Sequence, residues 1–274
     1  MSIPQAWSAE AFNQATKSEN RIHSDEIAKE YGFRGALVPG VTVSAYLIHP
    51  AVAAWGEAWL ERGRAQVVVH SPVYDREMFR VDVSKASPSE YDAELFDPTG
   101  ARCATAHVEL AEPDAMPSPS KLRHDAILGR DFERPKASRK VMEHRQRDGL
   151  LATRARWNDT AEITSYLRDP ERMAAPFSKL GFANPAFVLG LTNWALAGNV
   201  KMSPWLHLQT DSQNYRPIAA NTELVVESSI ADLFEKKGHE FIDVDMNIFD
   251  RATEALATSV RLRAIYKLRP PSGT

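Results

Sequence analysis

The residues best suited to chemistry lie near the start of the chain, in the segments Asn20–Asp25, Tyr31–Phe33 and Ala36–Gly40. A histidine can take up or release a proton near neutral pH, so His23 is a candidate general acid or base. Gly40 opens a long apolar run. A glycine at a helix N-terminus supplies a backbone N–H, and the helix dipole helps it to stabilise negative charge. The pattern therefore predicts acid–base chemistry beside the start of a helix.

Each of these residues also has a purely structural interpretation. A lone histidine is commonly structural, and Asn20 can hold a loop in place by hydrogen bonding. Gly40 can simply allow a helix to begin close to a sheet. Asp25 is expected to cap or support a short helix over Glu26–Tyr31. At the level of the sequence both interpretations stay open.

The elements that must position these residues occur twice. Each half begins with an apolar run of helix length, Ala36–Trp59 with a break expected near Pro50, and then Pro185–Val200. The predicted strands are Ala65–Val69, Met78–Ser84, Tyr91–Phe96 and Ala101–Leu110, and then Leu206–Gln209, Glu223–Leu233, Glu240–Phe249 and Ala255–Leu268. Lys237–His239 is expected to turn between two long strands. One long helix followed by antiparallel strands predicts an α+β fold in each half, with the sheet wrapping the helix.

Short matches between the halves indicate a duplication. They keep the same order at offsets of 149 to 153 residues, and pair Gly32-Phe33 with Gly181-Phe182, Phe96-Asp97 with Phe249-Asp250, and Ala104-Thr105 with Ala257-Thr258. The stretch between the halves is rich in proline and serine, as linkers are. We predict an N-terminal unit over residues 1–112, a linker over 113–134 and a C-terminal unit over 135–274. Chance matching is the alternative.

Composition excludes several classes of protein. The chain has 274 residues, of which 43% are hydrophobic and 25% charged, as in ordinary globular proteins. A formal net charge of −3 does not favour nucleic acid or an anionic membrane as the main partner. The single cysteine, Cys103, excludes an intramolecular disulfide and a cysteine-based zinc site. The apolar stretches, such as Ala183–Ala197, are too short and too interrupted for a membrane span.

The chain lacks motifs for a bound cofactor. It contains neither of the glycine-rich phosphate loops nor a nucleophile elbow, and its histidines form no i,i+4 pair. We expect no cofactor and no metal. The basic segment Arg139–Arg156 is either a solvated face or a contact for the phosphates of a coenzyme A group. With no signal peptide at the N-terminus, a cytoplasmic location is expected.

Over Ser18–Leu47 the chain resembles the active-site segment of MaoC-like, (R)-specific enoyl-CoA hydratases and dehydratases. Asn20 falls on the family's Asn, His23 on its catalytic His, Ala28 on the Ala that follows, and Gly40 on the glycine that opens the central helix. The resemblance implies the hotdog fold, here as a double hotdog whose second half is degenerate. The second copy then replaces the partner subunit of a single hotdog, so that a monomer or a homodimer is expected.

The resemblance also implies a reaction and a set of site residues. The reaction is hydration of a 2-enoyl thioester or dehydration of a 3-hydroxyacyl thioester, carried by coenzyme A or by an acyl carrier protein. Catalysis is expected to involve His23, Asn20 and the position of Ser18, and the substrate is expected to contact Val38 and Gly40. Such chemistry needs a base to activate water, an acid to protonate the α-carbon, and donors for the enolate oxygen.

Three positions depart from the family pattern. Ser18 stands where the family has its catalytic Asp, and a serine hydroxyl has no useful basicity near neutral pH. Pro39 replaces the His that commonly precedes the helix glycine, and Arg21 replaces the Pro after the Asn. Half of the expected acid–base pair is therefore missing.

The second half offers two candidate replacements. Alternation places Trp205, His207 and Gln209 on one strand face, and Asp211 follows. In the hotdog fold ligands lie between the halves, so His207 and Asp211 are candidate substrate contacts near His23. The ordinary alternative for both is a surface or interface position.

Three functions follow from these residues. The first is an acyl-thioester hydratase or dehydratase in which His23 is the surviving acid or base. The second is a thioester-binding hotdog, or a subunit of a larger enzyme, without catalysis. The third is a hotdog thioesterase in which a carboxylate such as Glu19 or Asp211 activates water.

Overall fold

A computed structural model describes residues 2–157 and 164–269 of the chain. In the first half it contains β1 (Trp7–Glu10), α1 (Asp25–Glu30), α2 (Gly40–Trp55), α3 (Glu57–Arg62), β2 (Gly63–Val69), β3 (Met78–Ser84), β4 (Glu90–Phe96) and β5 (Arg102–Leu110). In the second half it contains α4 (Arg139–Asp148), β6 (Thr153–Arg156), α5 (Ala175–Ser178), α6 (Pro185–Asn199), β7 (Leu206–Asn214), β8 (Glu223–Lys236), β9 (His239–Asp250) and β10 (Leu256–Lys267).

The strands of both halves form one continuous antiparallel sheet. Their order is β1-β3-β4-β5-β2-β7-β10-β9-β8-β6, so each half repeats the same order and the halves join where β2 pairs with β7. That junction aligns Arg64 with Gln213 and Val68 with Gln209. The predicted α+β arrangement, a long helix and an antiparallel sheet in each half, is confirmed.

The duplicated sequence matches occupy equivalent places in the two halves. Phe96 and Phe249 lie at the ends of β4 and β9, and Gly32 and Gly181 both adopt positive φ angles before the long helices. The helices α2 and α6 pack against one another as well as against the sheet. Both are apolar on almost every side, as helices buried between two layers must be.

Pro50 does not break α2, contrary to the prediction. Its missing N–H leaves the carbonyl of Tyr46 without its usual donor, and the indole Nε1 of Trp7 donates to that oxygen instead at 3.1 Å. The Tyr91 hydroxyl bridges the next turn, accepting from the N–H of Ala51 and donating to the carbonyl of Leu47. The helix continues to Trp55, and the chain turns at Gly56, whose φ is +60°.

The sequence pattern also missed the two edge strands, β1 and β6. Each has four residues, which is too short for a period of two to stand out from a loop. The turn expected after β8 is confirmed. Lys237 and Gly238 both have positive φ, the geometry of the tight two-residue hairpin that suits twisted strands.

The stretch predicted as a linker packs on the second half. The backbone N–H of Arg123 donates to the buried carboxylate of Glu227 on β8 at 3.0 Å, and the Arg123 guanidinium Nε donates to it at 3.2 Å. We keep the boundaries 1–112, 113–134 and 135–274 as a prediction. None of the helices in the described part of the chain has the length and apolar character needed to cross a membrane.

Candidate active site

Asn20 ties the first half of the chain to the second. It directly precedes a single 3₁₀ turn over Arg21–His23, and its side chain is buried. Its Nδ2 donates to the carbonyl of Trp205 at 3.0 Å, and its Oδ1 accepts from the N–H of Trp205 at 3.1 Å. The amide thus pairs with the Trp205 backbone much as a neighbouring strand would. These two bonds hold the His23 turn against the start of β7.

His23 is held as a neutral imidazole with one nitrogen able to accept a proton. Its Nδ1 lies 2.7 Å from the carbonyl oxygen of Leu37, which can only accept, so Nδ1 carries the hydrogen. The other nitrogen, Nε2, has its lone pair directed towards the Nδ2 of Asn20 at 3.4 Å. Burial is the main cause that lowers the pKa of His23 below 6.5. At neutral pH the side chain is therefore ready to act as a base.

Gly40 begins α2 beside the second half of the chain. A β-carbon at this position would lie 3.0 Å from both the carbonyl oxygen and the ring Cδ2 of His207. The first turn of α2 leaves donors unused, because neither the Gly40 nor the Val41 N–H has a hydrogen-bond partner among the described residues. An anionic oxygen next to this turn would be stabilised by these groups and by the helix dipole.

Two adjoining cavities meet at His23. The inner cavity, about 130 Å³, lies between the start of α2 and the strands β2 and β7, and its lining is mainly apolar. The outer cavity, about 520 Å³, includes the exposed residues Lys17–Glu19 and Trp194 in its wall. Five residues line both cavities, and they are Asn20, His23, Pro39, Asn193 and Trp205. His23 is thus placed at the passage from one cavity to the other.

Ser18 lines the outer cavity, and its one side-chain hydrogen bond among the described residues is to Asn20 and not to His23. It is exposed, and its Oγ accepts the N–H of Asn20 at 3.1 Å, which helps to shape the turn. The neighbouring Glu19 forms an ion pair with Arg134 at 2.7 Å, and the hydrogen bond from Arg134 lowers the pKa of Glu19. No carboxylate lines the inner cavity as the described residues form it. The missing half of the acid–base pair is therefore not replaced there.

His207 lines the inner cavity but has both ring nitrogens occupied. Its Nδ1 donates to the Oδ1 of Asn193 at 3.0 Å, and its Nε2 accepts from the hydroxyl of Thr210 at 2.5 Å. Burial lowers the pKa of His207 to about 3, so the ring stays neutral at physiological pH. We assign it to the wall of the cavity and not to proton transfer.

Asp211 faces away from the cavity, and the expected alternation along this strand was wrong. In the pairing of β7 with β10, Arg263 aligns with Gln209 and the next residue, Ala264, aligns with His207. Leu208 therefore has no partner on β10 and forms a bulge. This bulge puts His207 on the same face as Thr210, while Gln209 shares the other face with Asp211, to which it donates at 3.3 Å. On that face the charge of the Asp211 carboxylate adds to the causes that raise the pKa of Arg261 and of Arg263 on β10. Asp211 lines neither the inner nor the outer cavity.

The buried side chain of Val38 lines the inner cavity, and its contact with substrate stays a prediction. Three further residues contribute to the site and were not predicted from the sequence. Leu37 supplies the carbonyl that orients His23, and His70 and Asn193 line the inner cavity. Only Asn193 carried a signal, as a polar residue inside an apolar helix. Asp25 does not cap α1; it accepts the N–H of Ala36 at 2.7 Å.

No protein-family model matches the chain, and no curated protein matches it significantly. Solved structures do match in fold. One is a conserved hypothetical protein of Mycobacterium tuberculosis, essential for bacterial survival during infection, with a double hotdog fold. It is 14% identical, covers 97% of this chain and 96% of its own, and has a TM-score of 0.58.

Two further structures carry dehydratase names. A MaoC-like dehydratase is 11% identical over 97% of this chain and 98% of its own, with a TM-score of 0.52. The dehydratase domain of PpsC from Mycobacterium tuberculosis, in complex with C12:1-CoA, is 10% identical over 94% of this chain and 92% of its own, with a TM-score of 0.55. A structure described as a putative thioesterase II from Thermobifida fusca also matches, with 14% identity over 97% of this chain and 95% of its own and a TM-score of 0.50, so the fold does not choose the reaction. What the whole-length matches establish is that this chain has the double hotdog fold.

Proposed function

We propose that the protein binds an acyl thioester at the junction of its two cavities and interconverts a 2-enoyl thioester and its 3-hydroxyacyl form. One observation carries the proposal. His23 has Nδ1 bound to the Leu37 carbonyl at 2.7 Å, whereas its Nε2 has only a long contact of 3.4 Å with the Asn20 Nδ2 and can accept a proton where the two cavities meet. The acyl group would occupy the apolar inner cavity, and the carrier arm would leave through the outer cavity past Lys17 and Arg134.

The chemistry needs only one proton-transferring group. In hydration, the oxygen of water adds to C3 while Nε2 of His23 takes one of its protons. The electron pair of the double bond moves onto the thioester oxygen as an enolate, which the free N–H groups of Gly40 and Val41 would stabilise. The imidazolium then returns the proton to C2, so that water has been added across the double bond. Dehydration is the same path in reverse.

The lowered pKa of His23 suits both proton transfers, the uptake from water and the return to C2. The free ring is neutral at pH 7 and can act as a base, and its conjugate acid gives up a proton readily to the enolate carbon. Among the described residues, the inner cavity has no carboxylate to orient the water. We therefore expect turnover to be slower than an Asp–His pair at this site would support.

That missing carboxylate also favours a second candidate function, thioester binding without catalysis. The two are separated by incubating the protein with 2-enoyl-CoAs of four to twelve carbons and analysing the products chromatographically. Hydration that is lost by at least about 100-fold in His23→Gln supports the proposed reaction. Binding of acyl-CoA without any product supports the binding function. Release of free coenzyme A, with no 3-hydroxyacyl product, overturns both in favour of a thioesterase.

A further inference from the structure

A third cavity adjoins the inner one on the side away from the outer cavity. It measures about 530 Å³ and is lined by α1 and its following turn, by β7 and by the end of β10. Phe33 and Leu206 are the two described residues that line both the inner and the third cavity. They contact the same small apolar cluster, whose centre is formed by Ile22, Ala28 and Leu37. Phe33 and Leu206 thus form a partition between the two cavities.

The position of Phe33 follows from how α1 ends. Gly32 has a φ of +83°, a backbone conformation that residues with a side chain adopt only with strain. Its N–H donates to the carbonyl of Lys29, and the N–H of Phe33 donates to the carbonyl of Ala28, both at 3.0 Å. This pattern is the Schellman motif, in which the residue after the glycine folds back onto the helix. The Gly-Phe pair therefore holds the Phe33 ring in place from a helix end.

Leu206 completes the partition from the other half of the chain. It is the first residue of β7, paired with Ile265 of β10, and it directly follows Trp205, which Asn20 holds. Its side chain is half-buried between the two cavities. Both sides of the partition are thus anchored by backbone hydrogen bonds.

We propose that Phe33 and Leu206 set the length of the acyl group by closing the far end of the inner cavity. This inference rests on the proposed function. With the reacting end of the acyl group at His23, we place its tail in the part of the inner cavity that Phe33 and Leu206 separate from the third cavity. An apolar cavity of roughly 150 Å³ holds a six-carbon ring such as benzene. The inner cavity, at about 130 Å³, accordingly accepts an acyl group of about six carbons.

Removing the partition should extend the binding site. The third cavity offers apolar surface from Ile265 and Leu268, against which a longer tail would lie. Each additional buried methylene strengthens binding by about fourfold. A ten-carbon chain that is excluded from the wild-type protein would then gain affinity when Leu206 or Phe33 is shortened.

The test measures binding of saturated acyl-CoAs of four, six, ten and twelve carbons by calorimetry, because saturated chains bind without reacting. Wild-type protein should prefer six carbons over ten by at least about tenfold. Leu206→Ala and Phe33→Leu should each remove that preference. Leu268→Ala is the matched control, since it takes a leucine from the third cavity and the same cluster without opening the partition.

The outcomes separate this inference from the proposed function. If wild-type protein binds no acyl-CoA of any length, the proposed function fails and this inference fails with it. If short chains bind but both partition variants, shown to be folded by circular dichroism, keep the wild-type length preference, only this inference is overturned. An equal shift in Leu268→Ala also overturns it. If binding depends on acyl length but no turnover occurs, the role of Phe33 and Leu206 is supported and the proposed catalysis is contradicted.

Discussion

Gly40 at the start of α2 lies against the backbone of His207 on β7, so close that a β-carbon would come within 3.0 Å of the His207 carbonyl oxygen. The central helix of the first half and the strand β7 of the second half therefore meet without room for a side chain. This contact brings the free N–H groups of α2 to a cavity whose wall belongs partly to the other half of the chain.

Substituting Gly40→Ala should destabilise the protein by about 1–3 kcal/mol, because backbone atoms must move to admit the methyl group. It should also lower turnover by shifting the helix start away from the substrate oxygen. Urea unfolding and steady-state kinetics measure the two effects. Gly129→Ala is the control, since a β-carbon there has no atom within 4 Å. Equal stability of the two variants would show that the contact is looser than described.

Replacing Asn20 should uncouple the two halves near the site. Asn20→Ala leaves the buried N–H and carbonyl of Trp205 unpaired, at a cost of about 1–3 kcal/mol for each group. Gln146→Ala removes an exposed amide that donates to the Ala231 carbonyl, and should cost less than about 0.5 kcal/mol. Urea unfolding compares them, and a small loss in Asn20→Ala would contradict the bridging role.

The pH dependence of turnover should report the protonation of His23. Because its neutral form is the base and burial lowers its pKa below 6.5, kcat/KM should stay level near pH 7 and fall only below pH 6.5. Rates measured from pH 4.5 to 8 with a 2-enoyl-CoA test this. A midpoint above pH 6.5, or the same profile in His23→Gln, would assign the chemistry to another group.

Restoring a carboxylate at Ser18 should raise hydration. Ser18→Asp retains an oxygen that can accept the Asn20 N–H and adds a second base in the outer cavity. We expect a rate increase of at least about tenfold, and the negative charge should move the acidic limb of the profile to higher pH. Ser18→Asn, of similar size and uncharged, is the control. If both variants behave alike, the outer cavity does not hold the water that reacts.

The stability of the fold should decrease as the pH is lowered, in part through His207. Its folded-state pKa is about 3 and its unfolded value is near 6.5, so the unfolded chain binds more protons between these limits. Its contribution is complete above pH 6.5 and falls by about 1.4 kcal/mol per pH unit below it. His49, whose pKa is lowered to about 4, acts in the same direction.

His207→Gln should therefore reduce the difference in unfolding free energy between pH 7 and pH 5 by about 2 kcal/mol. The measurement is urea unfolding at the two pH values. The exposed His144 gives the control variant, His144→Gln, with which the effect of replacing the buried His207 is compared. A His207 variant with the full wild-type difference would place its folded pKa near the ordinary one.

The long elements were predictable because their signals are local. The eight long strands and both central helices follow from apolar runs and turn residues, and the bounds of β3 coincide with those predicted. The break expected at Pro50 was wrong because the donor that replaces its N–H comes from Trp7, which is distant in sequence, and because Tyr91 supports the following turn. The position expected for Asp211 was wrong because Leu208 forms a bulge in β7, and the residues after a bulge point to the opposite faces of the sheet.

The sequence by itself determined that two similar α+β halves follow one another, and that His23, Asn20 and Gly40 stand at motif positions. Periodicity and turn chemistry act over a few residues, so they can be read along the chain. Only the tertiary structure decided what these residues do. It brought Asn20 to Trp205, Gly40 to His207 and Phe33 to Leu206, across separations that no local pattern encodes. The inner, outer and third cavities lie between the halves, because packing and backbone pairing, and not adjacency in sequence, define an enclosed volume.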